Sequence, residues 1–176
     1  MSDTDESYLP LPKWGITVLL PPNQIMTDPS SVHANNVRQV LARKRVLIVD
    51  DEDDARDLLR HVLESCNIEV LDASNAGDAL DTLDSSRVDA IVSDIGMPGR
   101  DGYSLIRAVR SSPGHASVPS IALTAFNRRE DQTRALHEGF DRHVAKPFDV
   151  AFLLDTLATL VTRVRPEPPK SNTSGR

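Results

Sequence analysis

The chain has 176 residues, 39% hydrophobic and 26% charged, with a formal net charge of −6 at pH 7. That length suits about one domain with a sizeable core. The sequence lacks both the apolar run of roughly 20 residues that crosses a bilayer and the basic surplus that nucleic-acid binding requires. The acidic opening MSDTDESYLP has no basic flank before an apolar core, so no secretory signal is expected. Cys66, the lone cysteine, has no partner for an internal disulfide and reads as a buried structural thiol of a cytoplasmic protein.

Residues 1–44 are proline-spotted and polar, with a candidate strand at Gly15–Leu20 and a weak helix around Val32–Ala42. Neither closes a core alone, and the segment is expected to be a mostly disordered extension. Residues 45–163 alternate regularly. Arg45–Val49 is a short β-branched run, a buried strand. From Asp53, the positions Ala55, Leu58, Leu59, Val62, Leu63 and Cys66 mark one helical face. Ile68–Leu71 predicts a second strand, Ala76 to Leu83 a second helix, and Val88–Ser93 a third strand. Leu105, Ile106 and Val109 fall on a third helix, stopped by Ser111-Ser112-Pro113-Gly114. Pro119–Thr124 is a fourth strand, Glu130–Glu138 a helix closed by Gly139, Phe140–Ala145 a fifth strand, and Val150 to Val161 a last helix. The tail 164–176, rich in Pro and Ser, is expected to be disordered.

Five strands alternating with helices imply right-handed crossovers and a parallel sheet covered on both faces. Such sheets bind ligands outside the carboxyl ends of their strands, where the strand order reverses. Those ends deliver Asp50 and Asp51 after the first strand, Asp94 after the third, Thr124 after the fourth and Lys146 after the fifth. Strand two delivers only Asp72-Ala73-Ser74.

Charge sharpens the point. Residues 46–163 hold 12 Lys/Arg against 21 Asp/Glu, a net of −9. Carboxylates within about 4–6 Å of one another repel by roughly 3–4 kcal/mol per pair at an effective dielectric near 20. One lysine does not offset three such groups, so either a proton is shared or a divalent cation binds. Mg²⁺ suits oxygen ligands of this kind, and the backbone carbonyl of Gly96 is placed to complete the shell. Asp94 is then a candidate nucleophile for phosphorus. Lys146 and the Thr124 hydroxyl can serve phosphoryl oxygens, and the small Ala125 leaves access. Gly96, Pro98 and Gly99 let the backbone bend and leave Asp94 open.

Four segments, VLIVDDEDD (46–54), DAIVSDIGMPGRDG (89–102), IALTA (121–125) and HVAKPF (143–148), resemble the signature segments of the response-regulator receiver domain of two-component signalling. The resemblance covers about residues 45–163. It implies a flavodoxin-like, doubly wound α/β fold with strand order 2-1-3-4-5. It also implies Asp94 as phosphoacceptor, Asp51 as a direct metal ligand, Asp50 reaching the metal through water, and Gly96 ligating through its carbonyl. Thr124, Ala125 and Lys146 would meet the phosphoryl group, and the Lys146–Pro147 peptide would be cis. The family's switch pairs the threonine with an aromatic on strand five, here His143, which can also titrate near neutrality. His33, His61, His115 and His137 lack ligand spacing.

The implied partners are a histidine kinase or histidine phosphotransfer protein, with output through the face of the last two helices and strand five. Nothing after Val164 can serve as an output domain, so protein contact is the expected output, by free-standing docking or by relay. The stretch 121–149 is similar to receivers of hybrid histidine kinases, and KWGITVLLPP (13–22) faintly resembles the closing strand of a kinase ATP-binding domain. A metal-dependent phosphatase would want a second acid where Gly96 stands. A degenerate receiver acting as a scaffold would lack part of the acid cluster or the lysine, and here both are present.

Overall fold

A computed structural model describes residues 29–97, 102–125 and 129–163. In chain order the elements are α1 (Pro29–Leu41), β1 (Arg45–Val49), α2 (Asp53–Glu64), β2 (Glu69–Ala73), α3 (Ala76–Ser85) and β3 (Ala90–Asp94). They continue as α4 (Gly102–Ser111), β4 (Ser120–Thr124), α5 (Arg129–Glu138), β5 (Arg142–Ala145) and α6 (Val150–Thr162). The strands form one parallel sheet ordered β2-β1-β3-β4-β5. This is the flavodoxin-like doubly wound order.

Period-two alternation builds two cores from single strands. Val46 and Ile48 face a cluster containing Leu59, Leu63, Leu153 and Leu157, from α2 and α6. Leu47 and Val49 face the opposite cluster with Ala79, Leu105, Ile106 and Ala135, from α3, α4 and α5. Both faces of β1 are therefore buried, which is why it is continuously apolar from Val46 to Val49 rather than alternating. Cys66 is buried in the first cluster.

Helix ends are fixed locally. Asn75 caps α3 by accepting from the amides of Gly77 at 2.9 Å and Asp78 at 3.0 Å. Asp149 caps α6 by accepting from Ala151 at 2.6 Å and Phe152 at 3.1 Å. Each such cap is worth about 1 kcal/mol. Gly139 closes α5 at φ +121°, a conformation that suits glycine. Arg110 stitches α4 to the sheet, donating to the carbonyls of Gly139 (2.8 Å) and Val118 (2.7 Å) and to Asp141 (2.9 Å).

One expected boundary moves. The weak helical pattern around Val32–Ala42 is α1, and it packs on α6 rather than trailing as part of an extension. Val37 and Leu41 are buried in the α2–α6 core, Val40 packs against it, and His33 Nε2 lies 2.9 Å from Asp155 on α6. The reason is tertiary: α6 carries a second apolar stripe, Leu154, Ala158 and Val161, outside the one that faces the sheet, and α1 is packed on that helix. The candidate strand at Gly15–Leu20, the loop positions Pro98 and Gly99, and the tail 164–176 lie outside the described residues. Among the described residues no helix is long and apolar enough to cross a membrane.

Candidate functional site

The strand order reverses between β1 and β3, because β2 lies on one side of β1 and β3 on the other. Asp50 leaves β1 and Asp94 ends β3 at that crevice, and Lys146 leaves β5. A cleft of about 430 Å³ opens there. Its acidic side holds Asp50, Asp51, Glu52 and Asp94 with Gly96; Thr124, Ala125 and Lys146 face them. Ala55 and Leu58 from α2, with Pro147 and Phe148 from the β5–α6 turn, form an apolar lip. The Lys146–Pro147 peptide is cis.

The ammonium of Lys146 binds the two buried acids at once. Its Nζ is 2.9 Å from Asp50 Oδ2 and 2.8 Å from Asp94 Oδ1. The other oxygens are held by backbone: Asp50 Oδ1 accepts from the amide of Glu52 at 3.0 Å, and Asp94 Oδ2 from that of Gly96 at 2.6 Å. Asp50 is 1% and Asp94 8% exposed, whereas Asp51 is exposed to solvent along the same cleft. Among the described residues no three His, Cys, Asp or Glu side chains are grouped closely enough to hold a metal by themselves. The convergence is thus of two buried acids through one lysine, with Asp51 beside them.

Burial pushes the Asp94 carboxyl above the ordinary aspartate range; Lys146 pulls it back and the Asp50 charge adds to the rise. Burial alone would lower the Lys146 ammonium, but bonds to Asp94 and Asp50 outweigh it and hold it above the usual lysine value. Glu52 is likewise raised, by burial first and then by Asp50.

Thr124 is buried at the end of β4 and accepts from the amide of Lys146 through its carbonyl at 2.8 Å. Across the ladder Ala122 pairs with His143 and Thr124 with Ala145. Paired residues share a face and alternate ones return to it, so Thr124 and His143 project to the same side of the sheet. Ala122 on that side belongs to the core beneath α5. His143 is half-buried.

The receiver profile settles the family. Described as "response regulator receiver domain", it matches residues 46–158. The chain belongs to the response-regulator receiver family. Among curated relatives, an uncharacterized 14.6 kDa protein of Leptolyngbya boryana is 45% identical over 111 residues, 63% of this chain and 85% of that protein. The sensor histidine kinase RcsC of Salmonella typhimurium is 34% identical over 120 residues, 68% of this chain but 12% of the kinase. The response regulator MprA of Mycobacterium avium is 35% identical over 123 residues, 70% of this chain and 53% of the regulator. The chain therefore matches only part of the length of the latter two. Of solved structures, the chemotaxis protein CheY4 of Vibrio cholerae superposes with a TM-score of 0.64 at 31% identity, covering 68% of this chain and 99% of CheY4. A putative response regulator from Chloroflexus aurantiacus gives 0.66 at 30%, covering 69% and 99%.

The receiver fold gathers every site residue read from the sequence except His143 into one cleft. The reading of strand ends missed what supports them. Arg56 on α2 binds the backbone of Asp50, and Asp72, given no role above, faces both Arg56 and Arg60. Gly102 starts α4 against the end of β3: a Cβ there would overlap the carbonyl oxygen of Asp94 and sit 2.9 Å from Ile95 Cα. The glycine of the quoted DG pair was the available signal.

Proposed function

We propose that this receiver accepts a phosphoryl group on Asp94 from a phosphohistidine, with Mg²⁺, and signals through protein contacts. The observation that carries the reading is the ammonium of Lys146 held between Asp50 and Asp94 in a cleft that Asp51, Gly96, Thr124 and Ala125 also line. In the transfer, the P–N bond of the donor breaks as an O–P bond to Asp94 forms, and the departing imidazole nitrogen takes up a proton. Lys146 offers a point charge to the incoming group and Thr124 a hydroxyl donor. Leu58 and Phe148 give the donor protein an apolar lip to rest on.

The donor set fits Mg²⁺. Such an ion uses one or two carboxylates with waters and phosphate oxygens, so a three-acid cage is not required. Asp51 and Asp94, with the Gly96 carbonyl, would hold it, and Asp50 would reach it through water. Burial, and after it the charge of Asp50, raises the Asp94 and Glu52 carboxyls, and a bound cation would offset the second of these. When bound, the ion supplies charge stabilisation for the phosphoryl oxygens.

The partner is a histidine kinase or a histidine phosphotransfer protein. For output, the face of α5, β5 and α6 is favoured by its exposed apolar side chains, Leu136 on α5 and Phe152 on α6. That Thr124 and His143 share one side of the sheet beneath α5 supports a relay of Asp94 occupancy to that face. The folded unit is the receiver with α1; the signalling protein works in the cytoplasm.

Incubation of the full chain with a small phosphodonor and Mg²⁺ tests the reading. One acid-stable, base-labile phosphate is expected, absent in Asp94→Asn. Absence of label in the wild type would sink the phosphoacceptor role and favour a scaffold, while turnover of an external phosphoester would make the protein an enzyme.

A further inference from the structure

The turn from β1 into α2 presents Asp50, Asp51 and Glu52 in succession, three like charges that must be held in one arrangement for the cleft to exist. The Asp50 carboxylate is held by the Glu52 amide and by Lys146, but the exposed Asp51 has neither hold. The amide of Asp50 reaches the carbonyl of Ala73 only at 3.3 Å. Glu52 occupies the N-cap of α2 yet makes no side-chain capping bond, unlike Asn75 at α3 and Asp149 at α6. The carbonyl of Asp50, by contrast, is held by a guanidinium from one turn further on. Arg56 Nη1 donates to the carbonyl of Asp50 at 2.7 Å, Nη2 pairs with Asp53, and Nε lies 3.7 Å from Asp72 at the end of β2. Asp72 is itself held by Arg60. The Arg56 side chain is 13% exposed and stands behind the cleft, outside its lining.

We propose that Arg56 is a positioning residue of the acid cleft, fixing the peptide between Asp50 and Asp51 and through it the direction of the Asp51 carboxylate. The proposal rests on the phosphoacceptor reading above. Its physical basis is the planarity of the peptide: the carbonyl of Asp50 and the amide and Cα of Asp51 share one plane, so orienting the carbonyl orients the bond from which Asp51 departs. A fork with several donors in fixed geometry can hold the carbonyl, Asp53 and Asp72 together, which a single ammonium does not match.

A second role for Arg56, as a plain positive charge, predicts the opposite sign. A cation beside an acid cluster lowers its affinity for Mg²⁺, so deleting a mere charge tightens binding. Deleting a positioning group weakens it. The test is a titration of the full-length protein with Mg²⁺ alone, followed through backbone amide shifts, alongside urea unfolding to confirm that each variant is folded.

Arg56→Ala is expected to weaken Mg²⁺ roughly tenfold, about 1.4 kcal/mol. Arg56→Lys, which keeps the charge but gathers its donors on a single nitrogen, should sit between, roughly threefold weaker than wild type. Wild-type or tighter Mg²⁺ affinity in folded Arg56→Ala overturns the proposal. If that variant does not fold, Arg56→Lys decides, and binding equal to wild type overturns it. A wild-type chain whose amides ignore Mg²⁺ would instead remove the reading of the cleft on which the proposal stands.

Discussion

Replacing Lys146 by methionine keeps the length of the stem and deletes the charge that joins Asp50 to Asp94. The two contacts, 2.9 and 2.8 Å, laid end to end put the bridged oxygens no more than about 5.7 Å apart. Two unit charges at that separation repel by roughly 3 kcal/mol at an effective dielectric near 20. This agrees with the roughly 3–5 kcal/mol lost when one partner of a buried ion pair is removed. With a urea slope of about 1.5–2 kcal/mol per M, the midpoint at pH 7.5 without Mg²⁺ should fall by about 1.5–2 M. The loss should shrink as pH is lowered, because Asp94, already raised by burial, takes up a proton and ends the repulsion. Added Mg²⁺ should restore the variant more than the wild type. A drop under about 0.5 M, or one indifferent to both pH and Mg²⁺, would refute the claim that Lys146 holds two ionised acids together.

Asp94→Asn should raise the Mg²⁺-free urea midpoint at neutral pH. A carboxyl raised in the folded state favours folding only while protonated, so its ionised form is a cost above its own folded pKa; the gap between variant and wild type closes as pH falls through that value. Equal midpoints at pH 7.5 would count against the burial account. Leu41→Ala removes a fully buried side chain of α1 and should cost about 2–5 kcal/mol in urea unfolding, whereas a change below about 1 kcal/mol would mean that α1 is not part of the cooperative unit. Gly102→Ala forces a Cβ onto the Asp94 carbonyl and should both lower stability by more than about 1 kcal/mol and slow labelling of Asp94; normal labelling with normal stability would show that β3 and α4 separate freely.

What the sequence made legible follows from where each constraint acts. β1 was read to the residue, because its apolar run Val46–Val49 lies between the charged Arg45, where the strand begins, and Asp50. β2 was expected at Ile68–Leu71 and forms at Glu69–Ala73, since the ladder pairs Ile48 with Asp72 and Val49 with Ala73, a partnership no local pattern announces. β3 shifts likewise and ends on Asp94 itself. The cleft residues were visible because strand ends at a topological switch point must converge, whichever side chains they carry. Arg56 and Asp72 were not, since an arginine on a charge-rich helix and an aspartate near a strand end look like any solvated residues. The need for glycine at position 102 arises from a carbonyl eight residues earlier. α1 was faint because the helix it packs against, α6, sits over a hundred positions downstream.

The seating of α1 on α6 bears on how this protein can be cut and joined. Trimming to the stretch that the family profile matches would strip Val37 and Leu41 from the interior and bare a greasy flank on α6, inviting self-association. A fragment starting near Pro29 keeps that flank shielded. Because α6 is also one of the two helices of the favoured output face, losing α1 would disturb the fold and that face together.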